Sequence, residues 1–283
     1  MAVKVVTDST ADLPPELARE LDITVAPLSV RFGQESFLDG VDLSSDAFFQ
    51  RLVAAKELPT TSQPAPGAFL LVYRRLLEAG HQVLSVHVSE KLSGTLNSAR
   101  QAKEQLGNAP IQILDSQQAT LGLGLVATAA AKAVKAGASL QETAAAANEA
   151  IGQVQVFGVL DTLEYLQKGG RIGKARALVG SLLHVRPIIT IKEGVTHSAG
   201  MARSRAQGIQ FLLTVARERA PLKQAAVIYS TTPLEADQLA EQVRPLVQDG
   251  AVMKARFGPV LGTYVGPGAW GLAVQSEKRD SLS

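Results

Sequence analysis

Residues 59–67 read Pro59-Thr60-Thr61-Ser62-Gln63-Pro64-Ala65-Pro66-Gly67. Each proline fixes its own φ angle and disfavours helix in the residue before it, so residues 60–62 are expected to be extended or turn backbone between two helical segments. A stiff loop that presents three consecutive hydroxyl groups suits contact with a ligand. The alternative is a structural role, in which Ser62 caps a helix that begins near Pro64.

Composition predicts an α/β protein. The chain has 283 residues, of which 46% are hydrophobic but only 5% aromatic, so its core consists mainly of Ala, Val, Leu and Ile. Such a core is typical of sheets that helices cover on both faces. The length favours two domains. We expect a mostly parallel, Rossmann-like sheet with the ligand-binding loops over residues 1–155, and a mixed sheet with helices over residues 156–283.

Several classes of protein and site are excluded or disfavoured. The chain contains no cysteine, which excludes disulfides, thiolate nucleophiles and cysteine-ligated metal sites. Residues 1–6 lead directly into a predicted strand and lack the apolar region of a signal peptide, so a cytoplasmic protein is expected. The weakly polar run at residues 119–131 is too short to span a bilayer, and no membrane insertion is expected.

Polar side chains follow three predicted strands of the first half. They are Asp8-Ser9 after residues 3–7, Ser93-Gly94-Thr95 after residues 83–88, and Asp115-Ser116 after residues 111–114. Because the carboxyl ends of parallel strands meet at one edge of a sheet, these residues and the loop at residues 60–62 are expected to form one hydroxyl-rich pocket. Ser93 and Thr95 also stand where a helix begins, so their hydroxyls and free backbone N–H groups can converge on an anion.

The second half contains a basic segment between residues 168 and 205. Its eight cationic residues, against the single acidic Glu193, are Lys168, Arg171, Lys174, Arg176, Arg186, Lys192, Arg203 and Arg205. Such a segment indicates an anionic partner or substrate, and a solvated basic surface is the alternative. The glycine-rich turn at residues 169–174 is expected to lead into a helix over residues 175–183. Residues 258–268 are expected to form another loop that approaches a neighbouring group closely.

Two segments resemble nucleotide-binding motifs but do not match them. Gly122-x-Gly124-x-x-Ala127 resembles a dinucleotide fingerprint, yet six residues separate it from the preceding strand, and tight packing of a helix explains the glycines better. The basic turn is not a P-loop, because Lys168 occupies the place of its first glycine and Ala175 that of its Ser or Thr.

No catalytic machinery is recognisable. The four histidines are scattered, and Asp8 with Asp115 would make a poor magnesium site, so these carboxylates are expected to bond to loop backbone. Hydrogen-bond donors without a base suit holding an anion rather than cleaving a bond. The residues therefore predict a binding pocket with no metal or cofactor, although a phosphate would satisfy the same donors as a carboxylate.

Six motifs together resemble the DegV family, in order and over nearly the whole chain. They are Thr7-Asp8-Ser9-Thr10-Ala11-Asp12-Leu13-Pro14, Thr60-Thr61-Ser62-Gln63-Pro64, Leu92-Ser93-Gly94-Thr95, Asp115-Ser116, Leu163-Glu164-Tyr165-Leu166-x-Lys168-Gly169-Gly170-Arg171-Ile172-Gly173 and Gly266-Pro267-Gly268. The resemblance implies two α/β domains of the EDD fold with a long-chain fatty acid bound between them. It further implies a bacterial carrier without its own catalytic machinery, which presents the carboxylate to a separate kinase subunit.

The resemblance also assigns roles to residues. Thr61 or Ser62, together with Ser93, would bond the carboxylate, with Gly94 and Thr95 beside them. Arg171 and Arg203 would belong to the face that meets the kinase or the phosphate.

One position departs from the family pattern. Tyr264 stands two residues before Gly-Pro-Gly, where the family commonly has histidine. A phenol donates a hydrogen bond to a carboxylate but carries no positive charge.

Two alternative functions remain. One is an enzyme that acts on a small phosphorylated metabolite at the same hydroxyl-rich pocket, aided by the basic segment. The other is nucleic-acid binding by that segment, which is disfavoured because aromatic residues for base stacking are scarce.

Overall fold

A computed structural model describes residues 2–178 and 185–277. The elements of the first half are β1 (Val3–Asp8), α1 (Pro15–Glu20), β2 (Ile23–Ala26), β3 (Ser29–Phe32), β4 (Glu35–Leu38), α2 (Ser45–Ala54), β5 (Thr60–Ser62), α3 (Pro66–Glu78), β6 (Gln82–His87), α4 (Thr95–Glu104), β7 (Ile111–Asp115), α5 (Thr120–Lys135) and α6 (Leu140–Gln153). Those of the second half are β8 (Val154–Val159), α7 (Glu164–Lys168), β9 (Arg186–Lys192), β10 (Val195–Ala202), α8 (Arg205–Arg219), β11 (Gln224–Tyr229), α9 (Pro233–Val243), β12 (Val252–Arg256), α10 (Pro259–Val265) and β13 (Trp270–Gln275).

The first half is built on a parallel sheet with the strand order β2-β1-β6-β7. This arrangement confirms the predicted Rossmann-like sheet. The carboxyl ends of β1, β6 and β7 lie at the same edge, where Asp8 is level with Ala26 and His87 is level with Asp115. The polar loops that follow these strands therefore emerge side by side, as the sequence predicted.

A second, antiparallel sheet of the first half has the order β4-β3-β5. Residues 23–32 form two strands in different sheets rather than one continuous strand. Pro27 lies between β2 and β3 and has no N–H group for a sheet ladder, so the chain leaves the parallel sheet there and β3 starts a new one. β3 pairs with β5, with Val30 opposite Thr61.

The segment at residues 60–62 is thus extended, as predicted, but as an edge strand. The alternative role of Ser62 as a helix cap is wrong. The next helix, α3, begins at Pro66 with Ala65 at its N-cap, and no side chain caps it.

The second half contains a mixed sheet with the order β10-β9-β8-β13-β11-β12. Only its β11 and β12 pair is parallel within the described residues, and the hairpin of β9 and β10 turns at Glu193 and Gly194, whose φ angles are 53° and 75°. The mixed sheet with helices was predicted. The division into domains near residue 155 stays a prediction, since β8 follows α6 without an intervening linker.

Helix α5 contacts strands of both large sheets, namely β1 and β6 on one side and β8, β11 and β13 on the other. Its glycine-rich sequence fits this position. A Cβ atom on Gly124 would lie 2.8 Å from the carbonyl oxygen of Ala11, so the helix approaches backbone where only glycine fits. This close packing explains Gly124, the second glycine of the segment that resembles a dinucleotide fingerprint.

Two further predictions need correction or lie beyond the described chain. Residues 258–268 are not simply a loop, because Pro259 starts the short helix α10, for which its fixed φ angle is suited. The helix predicted over residues 175–183 is described only to Leu178, as the end of a 3-10 helix, Gly173–Leu178; the remainder lies outside the described residues. Within the described ranges, no helix has both the length and the apolar character needed to cross a membrane.

Candidate functional site

A cavity of about 420 Å³ lies between the two halves of the protein. Its volume falls within the range of roughly 300 to 1,000 Å³ that is usual for small-molecule sites. Most of the wall is apolar and comes from strands of the mixed sheet, from α10 and from the strand ends of the parallel sheet. Representative apolar wall residues are Leu28, Val88, Val156, Ile189, Ile228 and Val260.

Polar side chains gather at one part of this wall. Thr61 and Ser62 arrive on β5, Ser93 on the loop after β6, and Tyr264 on α10. The hydroxyl of Tyr264 lies 2.5 Å from Thr61 Oγ1, which joins the two halves of the chain across the cavity wall. Hydroxyl groups both donate and accept hydrogen bonds, so this cluster can reorient toward an anion.

Gln63 holds the β5 segment against the start of α4. Its side-chain amide donates to Ser98 Oγ at 3.4 Å and packs over Gly94, where a Cβ atom would overlap the Gln63 side chain. Ser93 Oγ lies 2.9 Å from Thr95 Oγ1 and accepts a hydrogen bond from the Thr95 backbone at 3.3 Å. The absence of a side chain at Gly94 leaves the space that the Gln63 amide occupies between the Thr61 and Ser93 loops.

Arg171 places a positive charge beside this cluster. Its Nε donates to the carbonyl of Leu92 at 3.1 Å and its Nη1 to that of Gly169 at 2.8 Å. The centre of the guanidinium group lies 5.1 Å from the ring centroid of Tyr264, which is a cation–π contact. Arg171 is exposed as well as lining the cavity, so it stands at the opening.

The structure brings together most of the predicted site residues. Thr61, Ser62, Ser93, Tyr264 and Arg171 all line the cavity. Among the described wall residues, Arg171 and Tyr264 are the ionisable ones, so the wall contains a cation and no carboxylate.

Several predicted residues do not line the cavity. Asp8, Ser9, Asp115 and Ser116 were expected to share the pocket, but of the polar groups at the three strand ends only Ser93 reaches its wall, and Asp8 and Ser116 are fully buried. Gly94 lies behind Ser93 at the N-cap of α4, and Thr95 is fully buried in the first turn of that helix. Arg203 is exposed just after β10, where its backbone N–H donates to Gln207. The proposed contact of Arg203 with a partner stays a prediction.

Reasoning from the sequence missed Gln63, Thr10, Thr120 and Thr196 as wall residues. Gln63 could have been predicted, because it directly follows the three hydroxyl residues at 60–62. Thr10 also stands in a predicted motif, directly after Asp8 and Ser9. Thr120 and Thr196 had no such signal, because only the packing of strands and helices decides which of their faces meets the cavity.

A buried hydrogen-bonded chain supports the wall near Thr10. Tyr73 donates to Ser85 at 2.7 Å, Ser85 lies 2.7 Å from His87 Nε2, and His87 Nδ1 lies 2.9 Å from Asp8. Asp8 also accepts hydrogen bonds from the backbone N–H of Thr10 and of Val88, at 3.1 and 3.0 Å. The prediction that Asp8 bonds to loop backbone is therefore confirmed.

Ser85, His87 and Asp8 have the order of a hydrolytic triad, but their surroundings exclude that role. All three are 0% exposed, and the Ser85 hydroxyl is already engaged by Tyr73. No substrate reaches the serine, so the chain is structural: it joins the ends of β1 and β6. Within residues 2–178 and 185–277, no group of three or more His, Asp or Glu side chains is placed to hold a metal ion.

Comparison with known proteins agrees with this architecture. A family model described as "Uncharacterised protein, DegV family" matches residues 2–277. The chain belongs to the DegV family.

Similar proteins cover its full length. A DegV domain-containing protein of Deinococcus radiodurans is 34% identical over 97% of this chain and 99% of its own. A fatty-acid-binding DegV family protein of Thermus thermophilus superposes with a TM-score of 0.91 at 34% identity, over 98% of this chain and 100% of its own. Bacillus subtilis DegV, a fatty acid binding protein, superposes with a TM-score of 0.87 at 33% identity, with the same coverage.

In this DegV family protein, a buried carboxylate anchors helix α10. Asp12 accepts hydrogen bonds from the Gly258 N–H at 2.8 Å and from the Thr120 hydroxyl at 2.7 Å. Burial raises the pKa of Asp12 well above its usual range. Thr120 has a φ angle of 50°, which is strained for a β-branched residue and fits a site where the backbone is held in place.

Asp39 contributes a second buried carboxyl group beside the same helix start. It is hydrogen-bonded by the side chain of Ser9 and the backbone of Val260, which lower its pKa, but burial outweighs them and raises that pKa to about 7. Nearby Asp8 raises it further. Asp12 and Asp39 thus hold the helix that carries Tyr264 into the cavity wall.

Substituting Asp39 should change how stability depends on pH. Its pKa is about 7 when folded and near 3.8 when unfolded, so the folded state binds the proton more tightly, and the stability this provides is lost as pH rises from about 4 to 7. We expect Asp39→Asn to flatten that decline and to be more stable than the wild type at pH 8, by at most about 4 kcal/mol. Urea denaturation at several pH values measures this.

The matched control is Glu104→Gln at an exposed position of α4, which should follow the wild-type curve. An Asp39→Asn variant with the wild-type slope between pH 4 and 7 would show that Asp39 is ionised at low pH in the folded protein.

Proposed function

We propose that this protein binds a long-chain fatty acid in the cavity and presents its carboxylate to a separate kinase subunit, as a carrier in the bacterial cytoplasm. The observation that carries the proposal is the composition of the wall. It is apolar over most of its area, and its hydroxyl groups and Arg171 are gathered at one part of it. A ligand with one anionic end and a long apolar remainder matches this distribution.

The energetics favour such a ligand over a small phosphate ester. Hydrogen bonds to a charged group contribute roughly 1.5 to 3 kcal/mol each, which orients a head group but gives modest affinity. Each buried methylene adds about 0.8 kcal/mol, so the apolar wall supplies most of the affinity for a long chain. A phosphorylated metabolite would leave that apolar wall unfilled. Among the described wall residues, Arg171 is the one cation available to its phosphate group.

The head-group residues have distinct roles in this proposal. Thr61, Ser62 and Ser93 donate hydrogen bonds to the carboxylate, and Tyr264 donates another once its hydroxyl turns from Thr61. Arg171 neutralises the charge at the opening. No carboxylate or histidine lines the described wall, so the group that promotes phosphoryl transfer would come from the partner.

The similar proteins support the same ligand class. DegV family proteins of Thermus thermophilus and Bacillus subtilis bind fatty acids, and both share the fold over nearly their whole length. The kinase partner is supported by the exposed position of Arg171 beside the head-group cluster, which leaves the carboxylate end within reach of a second protein.

Native mass spectrometry of the protein as purified, followed by release of its ligand, tests the first part. We expect one long-chain fatty acid per chain, and a polar phosphate ester in its place would overturn the assignment. The second part is tested with the loaded protein, ATP and the host's candidate kinase subunit. Hydroxylamine should trap an acyl hydroxamate only when all three are present, and its absence would reject the partner.

Removing head-group donors should weaken binding. We expect Ser93→Ala combined with Thr61→Ala to lower fatty acid affinity by more than about 1 kcal/mol, or roughly fivefold, because two donors to the carboxylate are lost. Isothermal titration calorimetry measures the change. The control is Thr60→Ala, on the same strand but outside the cavity wall, which should bind normally. Unchanged affinity in the double variant would place the carboxylate elsewhere.

Arg171 should distinguish charged from neutral head groups. We expect Arg171→Met to weaken binding of a fatty acid about 10- to 100-fold, because a charge-assisted hydrogen bond is lost, and to leave binding of the fatty alcohol of equal length nearly unchanged. Arg203→Met removes an exposed arginine outside the wall and should change neither. Equal losses for acid and alcohol would show that Arg171 only supports the Leu92 and Gly169 backbone.

A further inference from the structure

A row of four residues crosses the mixed sheet at the cavity floor. Ile189 on β9 stands opposite Gly158 on β8, Gly158 stands opposite Gly271 on β13, and Gly271 stands opposite Ile228 on β11. All four line the cavity. Directly opposed residues of a sheet project to the same face, so two positions without side chains lie between two isoleucines.

This row forms a slot that runs perpendicular to the strands. It covers three inter-strand spacings, or roughly 14 Å at about 4.8 Å each. The head-group end lies toward β10, because Thr196 on that strand lines the cavity and donates to the Arg171 carbonyl at 2.8 Å. An alkyl chain whose carboxylate is near Arg171 therefore crosses β9, β8 and β13 on its way to Ile228.

Packing of the fold requires glycine at only one of these two positions. A Cβ atom on Gly271 would lie 2.6 Å from the carbonyl oxygen of Phe157, so backbone packing alone demands glycine there. A Cβ atom on Gly158 would lie 3.5 Å from Ile189 Cγ1 and 4.0 Å from Leu160 Cδ2, which are ordinary contacts. Gly158 also has a backbone conformation open to other residues, since its φ angle is not positive.

Glycine at position 158 is therefore not explained by the fold. Glycine weakens the interior of a strand, and β8 is paired on both sides. The space that its missing side chain leaves belongs to the cavity.

We propose that Gly158 is a specificity-determining residue, which keeps the slot open so that the distal methylenes of a long, unbranched fatty acid cross the sheet. The inference rests on the proposed function and deepens it, because it names the part of the ligand that this position selects. A larger residue at 158 closes the slot between head group and distal wall. Long chains then lose the burial of their distal methylenes, whereas chains that end before the slot do not.

The test compares Gly158→Val with the wild type in binding decanoate, palmitate and stearate. Each methylene displaced from the cavity costs about fourfold in affinity, so we expect stearate to bind at least about tenfold more weakly and decanoate to change less than about threefold. Gly152→Val, at an exposed position of α6 with open space around it, is the matched control and should bind all three as the wild type does.

Folding is checked by circular dichroism and thermal unfolding. If Gly158→Val does not fold, Gly158→Ala is used, whose added methyl group fits beside Ile189 and should give a smaller loss with the same dependence on chain length. Stearate affinity equal to that of the wild type, or equal losses for all three acids, would overturn the role of Gly158. Failure of the wild type to bind any of the acids would instead overturn the proposed function.

Discussion

The hydrogen bond from the Gly258 N–H to the buried carboxylate of Asp12 joins residues 246 positions apart in the chain. It fixes the start of α10, which supplies Val260, Leu261, Tyr264 and Val265 to the cavity wall. Asp39 accepts a hydrogen bond from the Val260 backbone in the same turn. The walls of the cavity come from both halves of the protein. This anchor holds them in register with the hydroxyl loops, together with the contact of Thr61 with Tyr264 and the packing of α5 on both large sheets.

The ionisable groups at the start of α10 are carboxyl groups, whereas the charged group in the cavity wall is a guanidinium. Burial raises the pKa values of Asp12 and Asp39, and both carboxyl groups are held by hydrogen bonds from the backbone at the start of α10. The described cavity wall instead exposes the guanidinium of Arg171 and no carboxylate. Asp12 and Asp39 thus stabilise the fold, whereas Arg171 is placed to contact a ligand.

The hydrogen-bonded chain through Tyr73, Ser85, His87 and Asp8 has the contact geometry of a catalytic site but lacks its exposure. Its distances of 2.7 to 2.9 Å match those of a hydrolytic site. Yet none of Ser85, His87 and Asp8 is exposed, so the same chemistry satisfies buried polar groups and locks two strand ends together. A satisfied network of this kind makes the edge of the sheet rigid, and the hydroxyl loops need that rigidity to converge.

Local patterns of apolar strands, prolines and helix starts were enough to predict the α/β class, the parallel sheet of the first half and the mixed sheet of the second. They also pointed to the hydroxyl residues Thr61, Ser62 and Ser93. They did not show that Pro27 sends β3 into a separate sheet, nor that residues after Gly258 form α10. Long-range packing places Tyr264 against Thr61, leaves Arg203 outside the cavity wall and pairs Gly158 with Gly271. The reason is physical: each of these contacts joins segments distant in sequence, and their strand register and burial are set by the packing of the whole chain.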